Sequence, residues 1–174
     1  MSCEPSLRSK RMVMAAIIVC GYLLDQLTKY WAVETLENRP PYWLIDHLLS
    51  FQLFYNPGAA FSMGTQFTFF LALLSAAVLI GLLGYGVWKV RDWLSSIAIA
   101  LLTFGVAGNL TDRLLRPPGF LQGYVVDFIS LRGFAVFNVA DIGITCAAIL
   151  LVIWTFRRER YDRAEKSISS RENR

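Results

Sequence analysis

The stretch Trp93–Leu115, WLSSIAIALLTFGVAGNLTDRLL, is an apolar run that ends in a polar cluster. It is long enough to cross a membrane, because about 20 mostly apolar residues in a helix span roughly 30 Å of hydrocarbon. Asn109, Asp112 and Arg113 lie in its last two turns. Since ionisable groups are costly inside a bilayer, the stretch predicts a transmembrane helix with a functional site at one end.

Three further runs predict three more spans. These runs cover residues 12–33, 67–88 and 134–156. Of the 174 residues, 55% are hydrophobic and only 17% are charged, whereas about a quarter of the residues of a soluble domain are charged. We therefore expect one all-α integral membrane domain, residues 1–174, with four transmembrane helices.

The first run follows three basic residues, as a secretory signal peptide would. No small-x-small cleavage site comes after it, and the chain continues as DQLTKYW (25–31). We therefore expect this run to remain as a helix.

Lysine and arginine are unevenly distributed between the connections. Twelve of the 17 lie before the first span, between the second and third spans, or after the fourth. The positive-inside rule therefore predicts that both termini are cytoplasmic. The polar tail, residues 157–174, is expected to be a frayed helical end or disordered.

The connection between the first two spans, residues 34–66, contains a strand pattern. Apolar and polar residues alternate around Phe51–Tyr55, and the pattern breaks at Asn56-Pro57-Gly58. Such a pattern predicts a strand, a turn and a second strand after the turn. We expect a small β-rich platform on the extracytoplasmic surface.

Polar residues of three spans are predicted to lie at one depth. At about 1.5 Å per residue from the basic ends of the spans, Asp25, Asp141 and Asn109 lie roughly 21, 24 and 27 Å from the cytoplasmic boundary. This level is the outer third of the bilayer. Asn138 is three residues before Asp141, so both are expected on one helix face.

Two acidic residues in the spans have basic neighbours. Asp25 and Lys29 are four residues apart, and Asp112 adjoins Arg113. Either pair could be an ion pair that only holds helices together, or part of a functional site, and the spacing leaves both roles open.

Asp127 and Asp141 have fewer local partners. Asp127 lies in the apolar stretch GYVVDFI (123–129), and no basic residue stands at helical spacing from Asp141. Two carboxyl groups held close together share one proton, so one can activate water while the other donates a proton. The pair therefore predicts metal-independent amide hydrolysis.

Five short motifs together resemble one known family. They are DQLTK (25–29), NPGAAFS (56–62), GNLTDR (108–113), VVDF (125–128) and FNVAD (137–141). In this order and spacing they resemble the lipoprotein signal peptidases, the type II prolipoprotein enzymes of the bacterial cytoplasmic (inner) membrane.

The resemblance implies an aspartic endopeptidase without a cofactor, whose active site faces the extracytoplasmic side. It would cleave the signal peptide of diacylglyceryl-modified prolipoproteins just before the lipidated cysteine, and the cyclic peptide globomycin would inhibit it. The catalytic pair maps onto Asp127 and Asp141. The residues expected to bind the substrate or support the pair are Asp25, Lys29, Asn56, Gly58, Asn109, Asp112, Arg113, Asn138 and Ala140.

Other functions explain the pattern less completely. A small transporter would need polar residues through the cytoplasmic half of the spans, and the second span has almost none there. A non-catalytic assembly factor would use the polar residues only to join helices. The protease motifs GxSG, HExxH and GxGD are absent, and a Ser62–Lys29 pair would leave Asp127 and Asp141 unexplained.

Overall fold

Four long helices and a four-stranded antiparallel sheet form the part of the chain that the computed structural model describes, residues 7–58, 64–90 and 92–172. The helices are α1 (Leu7–Leu36), α2 (Gly64–Gly81), α3 (Trp93–Leu115) and α4 (Val139–Glu172). A π-helical segment, Leu82–Gly86, and one turn, Val87–Lys89, continue α2. The strands are β1 (Tyr42–Ile45), β2 (Leu49–Asn56), β3 (Val125–Leu131) and β4 (Val136–Phe137).

The predicted four spans are confirmed. The helical stretches that are long and apolar enough to cross a membrane are Leu7–Leu36, Phe67–Lys89, Trp93–Leu115 and Val139–Tyr161. Burial within the protein reaches 56% for the most apolar part of α3, against 11–17% for the other three helices. Helix α3 is therefore the centre of the bundle, and the other helices leave most of their surface to lipid.

Small residues allow the helices to approach α3 closely. A Cβ atom on Gly105 of α3 would lie 2.6 Å from the carbonyl oxygen of Ala140 in α4. A Cβ atom on Gly21 of α1 would lie 2.6 Å from the ring of Phe104. Membrane helices commonly use small residues in this way, because lipid tails provide no hydrophobic force that drives helices together.

The fourth helix begins later than predicted, at Val139 instead of residue 134. Gly133 adopts a positive φ of 78°, and the chain then forms β4, in which Phe137 pairs with Ile129. Residues 134–137 are apolar, and two of them, Val136 and Phe137, form the last strand of the sheet. The hydropathy pattern alone cannot distinguish such a strand from a helix start. At its other end the helix continues to Glu172, so the expected frayed or disordered tail is helical over that range.

The predicted β-rich structure between the first two spans is confirmed as a sheet, and this sheet contains more of the chain than expected. The strand order is β1-β2-β3-β4, so the connection between α3 and α4 supplies half of the sheet. Within the connection between α1 and α2, β2 pairs with β1, the strand that precedes it. The second strand expected after the turn falls largely on residues 59–63, which lie outside the described residues, and the chain is helical from Gly64.

Packing against α1 fixes the position of β3. Val126 and Phe128 of β3 are buried with Ala32 and Leu36 of α1 in one apolar cluster. Asp127 lies between them in sequence, and strands alternate their side chains, so it points to the other face. On that face it is paired across the sheet with Phe54 of β2.

Candidate active site

Asn138 and Asp141 form a capping box at the start of α4. The Asp141 backbone N–H donates to Asn138 Oδ1 at 3.0 Å, and the Asn138 backbone N–H donates to Asp141 Oδ2 at 3.1 Å. These two bonds satisfy backbone donors that a helix start leaves unpaired. Asn138 and Asp141 are therefore close together, as predicted. However, Asn138 is not on a face of the helix, because it precedes the helix as its N-cap. As a result, the Asp141 carboxylate is held by the backbone.

Asp127 is held by two asparagine side chains. The Asn138 Nδ2 atom donates to Asp127 Oδ1 at 2.6 Å, and Asn56 Nδ2 donates to Asp127 Oδ2 at 2.8 Å. Gly58 follows at a positive φ of 88°, and its N–H donates to Asn56 Oδ1 at 2.8 Å. This turn orients the Asn56 amide, so that its Nδ2 atom points to Asp127.

Two asparagines connect the two carboxyl groups. Asn138 contacts both, through its amide for Asp127 and its backbone for Asp141. Asn109 Nδ2 donates to Asp141 Oδ1 at 2.8 Å, and Asn109 Oδ1 accepts from Asn138 Nδ2 at 3.3 Å. The structure thus brings together two aspartates from different elements, β3 and α4, around one hydrogen-bonded asparagine pair.

A buried ion network lies beneath this pair. Lys29 Nζ lies 2.9 Å from Asp25 Oδ2, 2.9 Å from Asp112 Oδ2 and 2.9 Å from Asn109 Oδ1. The side chains of Lys29 and Asp25 have no exposed surface, and that of Asp112 is 1% exposed. The spacing of Asp25 and Lys29 did indicate an ion pair. The structure adds a second carboxylate and a link to Asn109.

The ion pair considered between Asp112 and Arg113 is wrong. Asp112 Oδ1 accepts from Arg116 Nε at 2.6 Å, and Asp112 Oδ2 accepts from the Val126 backbone N–H at 3.2 Å. Residues four apart share a helix face, whereas adjacent residues do not. Asp112 therefore joins α3 to the strand that carries Asp127.

Arg113 instead lies close enough to interact with the charges of Asp141 and Asp127. Its Nη1 atom donates to the Asn109 carbonyl oxygen at 3.2 Å. Its Nε atom is buried and has no hydrogen-bond partner among the described residues. Buried donors are almost always paired, so this N–H is available to a ligand.

Ala140, the remaining expected residue, contributes its backbone to the surroundings of Asp25. The Ala140 N–H donates to Asp25 Oδ1 at 2.8 Å. Sequence reasoning missed Gly108 and Gln26, which complete the surroundings of Asp25. A Cβ atom on Gly108 would collide with Asp25 Oδ2, and Gln26 Nε2 donates to that oxygen at 3.0 Å. Gln26 lies in the motif DQLTK and Gly108 in GNLTDR. A glycine inside a predicted helix could have indicated a close contact at Gly108. Ser62 lies outside the described residues.

Burial makes ionisation of Asp127 costly. Its side chain is 2% exposed, and this desolvation raises its pKa to about 6, with a further contribution from the charge of Asp141. Hydrogen bonds from Asn56 and Asn138 and the charge of Lys29 oppose the shift. Asp127 is therefore the carboxyl group that keeps its proton to a higher pH than an ordinary aspartate.

Known proteins show the same organisation. The family model for signal peptidase (SPase) II matches residues 17–157. A lipoprotein signal peptidase of Rhodococcus jostii is 43% identical over 152 residues, which cover 87% of this chain and 76% of that protein. One of Streptomyces griseus is 41% identical over 152 residues, covering 86% and 77%.

Solved structures agree with these relatives. A bacterial membrane enzyme determined by the in meso method at 2.3 Å resolution has a TM-score of 0.73 and 29% identity, covering 83% of this chain and 88% of that one. A second, at 1.9 Å resolution, has a TM-score of 0.72 and 30% identity, covering 82% and 92%. The resemblance drawn from the five motifs is confirmed. The chain belongs to the signal peptidase II family, the lipoprotein signal peptidases.

Proposed function

We propose that the protein is an aspartic endopeptidase that removes the signal peptide from diacylglyceryl-modified prolipoproteins, cutting just before the lipidated cysteine. The observation that carries this proposal is the pairing of Asp127 and Asp141 around Asn138. Three asparagine side chains and one backbone N–H donate four hydrogen bonds to the two carboxyl groups, and Lys29 supports this arrangement through Asn109. Such preorganisation is typical of a catalytic site.

The two carboxyl groups divide the acid and base roles. Asp127 carries the shared proton, because it is buried and its pKa is raised to about 6. Asp141 is the base, because the start of α4 and the Asn138 N–H stabilise its negative charge. Asp141 removes a proton from water as the water attacks the scissile carbonyl. Asp127 protonates the oxyanion. The leaving amine then takes the proton that Asp141 removed from water as the C–N bond breaks, and a hydroxyl proton of the intermediate returns to Asp127.

Two other groups hold the peptide. The unpaired Arg113 Nε donor would bind the carbonyl oxygen, where negative charge develops in the transition state. Asn56 lies at the end of β2 in the platform, so the turn after it can contact an extended peptide above the pair. Asn138 positions both aspartates.

The site would face the extracytoplasmic side of the cytoplasmic membrane. The distribution of lysine and arginine supports this orientation, with the platform end of the bundle outside. The diacylglyceryl group of the substrate anchors it in the outer leaflet. The scissile bond, directly before the lipidated residue, would thus lie at the depth of the aspartates.

Cleavage of matched precursors tests the proposal. Purified full-length protein is incubated with a diacylglyceryl-modified precursor and with the same precursor without lipid, each with and without a chelator, and the product is identified by mass spectrometry. We expect cleavage before the cysteine of the lipidated precursor only, unaffected by chelator and inhibited by globomycin. Equal cleavage of both precursors, or loss of activity in chelator, would contradict it.

The pH dependence of the reaction should reflect Asp127. Deprotonation removes the acid, so kcat/KM is expected to fall as the pH rises through about 6. The Asn56 hydrogen bond favours the ionised carboxylate. Asn56→Ala is therefore expected to move this fall to higher pH while also lowering the maximum rate.

The matched control is Gln52→Ala, on the same strand, which leaves the Asn56–Asp127 hydrogen bond in place. It should keep the pH profile of the parent. A profile of Asn56→Ala that shifts to lower pH would show that Asn56 does not stabilise the ionised form.

A further inference from the structure

A cavity of about 630 Å³ lies between the start of α3 and the Trp154–Tyr161 part of α4, at the end of its span. Trp93, Leu94 and Ile97 line it from α3, and Trp154, Arg157 and Arg158 line it from α4. At about 1.5 Å per residue, its Trp93 wall is roughly 24 Å along α3 from Asn109. The cavity is therefore at the opposite end of the bundle from the aspartates and cannot hold the scissile peptide.

One wall of the cavity is fixed by contacts between the two helices. Trp154 Nε1 donates to Asp92 Oδ2 at 3.0 Å, which ties α4 to the residue that caps α3. The Arg158 guanidinium carbon lies 5.3 Å from the centre of the Trp154 ring, within cation–π distance. The indole thus supports the cavity and orients one cation at its edge.

The charge at this edge is positive. Burial would raise the pKa of Asp92, but hydrogen bonds from Ser95 and Trp154 outweigh it and hold the pKa below its usual value. Asp92 is therefore ionised, and its oxygens already accept these bonds. Arg157 and Arg158 supply two positive charges against this single negative charge.

We propose that this cavity binds one anionic phospholipid. Its phosphate would lie between Arg157 and Arg158, and an acyl chain would lie along Leu94 and Ile97. The cavity opens among membrane-spanning helices at the level of interfacial tryptophans, where lipid headgroups meet hydrocarbon. A molecule with an anionic head and an apolar tail can contact both the two arginines and the apolar side chains of α3. The excess positive charge favours an anionic head over a zwitterionic one.

Native mass spectrometry of the purified full-length protein in detergent tests this. The protein is titrated with phosphatidylglycerol and with phosphatidylcholine of the same acyl chains. We expect one phosphatidylglycerol to be retained in preference to phosphatidylcholine. Since each arginine near an anionic headgroup contributes about fivefold, the R157Q/R158Q variant should weaken this binding by about 25-fold.

Two controls separate a defined site from general surface charge. R160Q/R163Q removes the same charge from the same helix outside the cavity lining and should change the affinity less than threefold. Leu94→Trp fills the cavity without changing the charge and should remove the retained lipid. Circular dichroism confirms that each variant is folded.

Three outcomes would overturn the proposal. One is equal loss in the two arginine double variants, and another is equal retention of both lipids. The third is displacement of the lipid by millimolar inorganic phosphate, which would mean that the site recognises phosphate alone. The lipid-binding measurement does not depend on the proposed catalytic role of the aspartates, because it detects retained lipid and not cleavage. Peptidase activity of R157Q/R158Q in neutral detergent should equal that of the parent.

Discussion

Replacement of either Asp127 or Asp141 by asparagine is expected to lower kcat for lipidated precursor by about 10²–10⁴-fold, with the fold retained. The amide has nearly the same shape as the carboxylic acid, so packing of the buried side chain is preserved. It cannot exchange a proton with water or with the oxyanion. The loss is measured as single-turnover cleavage by purified protein, and retention of fold by the thermal unfolding midpoint.

The exposed platform residue Asp46 provides the matched control. Its side chain is 81% exposed beside His47, so Asp46→Asn changes the same chemical group outside the site and should leave kcat unchanged. Since the two catalytic groups act as a unit, the double variant Asp127→Asn/Asp141→Asn should be no slower than the worse single variant. Full activity of either single variant would favour a non-catalytic role, in which the polar groups only join helices.

The spans and the convergence of their polar groups could be predicted from the sequence. Hydropathy identifies a helix of about 20 residues because the bilayer thickness imposes that length. Counting along the helices then predicted that Asp25, Asn109 and Asp141 converge. In the structure, Lys29 contacts Asp25 and Asn109, and Asn109 contacts Asp141. Fixed helix geometry makes such an inference possible.

The strand that carries Asp127 could not be predicted in the same way. Its first four residues, Val125–Phe128, are all buried, so the alternation that marks a half-exposed strand is missing. Its partner, β2, is far away in the sequence, and no local pattern specifies that pairing. The predicted fourth span likewise includes the short strand β4, because its residues are as apolar as those of the helix that follows.

Side-chain partners were predictable only where one helix supplies both. The Asp25–Lys29 pair follows from helical spacing. Asp112 also has a partner at that spacing on its own helix, Arg116, and not the adjacent Arg113. The contact of Asp112 with the Val126 backbone depends on the sheet and therefore on the whole fold.

Loss of the Lys29 charge is expected to have the largest effect on stability. Lys29→Met retains an unbranched apolar stem of similar length but leaves Asp25 and Asp112 as buried carboxylates without their shared cation. Removing one member of a buried ionic group costs about 3–5 kcal/mol. The free energy of unfolding in detergent, from denaturant titration, should fall by that amount. Lys89→Met removes an exposed lysine that lies 5.3 Å from the Tyr85 ring and should cost less than about 1 kcal/mol.

A compensated variant separates charge from shape. In Lys29→Met/Asp25→Asn/Asp112→Asn the buried charges are gone, and replacement of a whole buried ionic group by neutral residues is often nearly neutral. This variant should therefore recover much of the lost stability. It should not recover activity, because Lys29 also donates to Asn109, which in turn donates to Asp141. If the single variant Lys29→Met were as stable as the parent, the two carboxyl groups would have to be protonated in the fold. The network would then be a set of neutral hydrogen bonds instead of an ionic one.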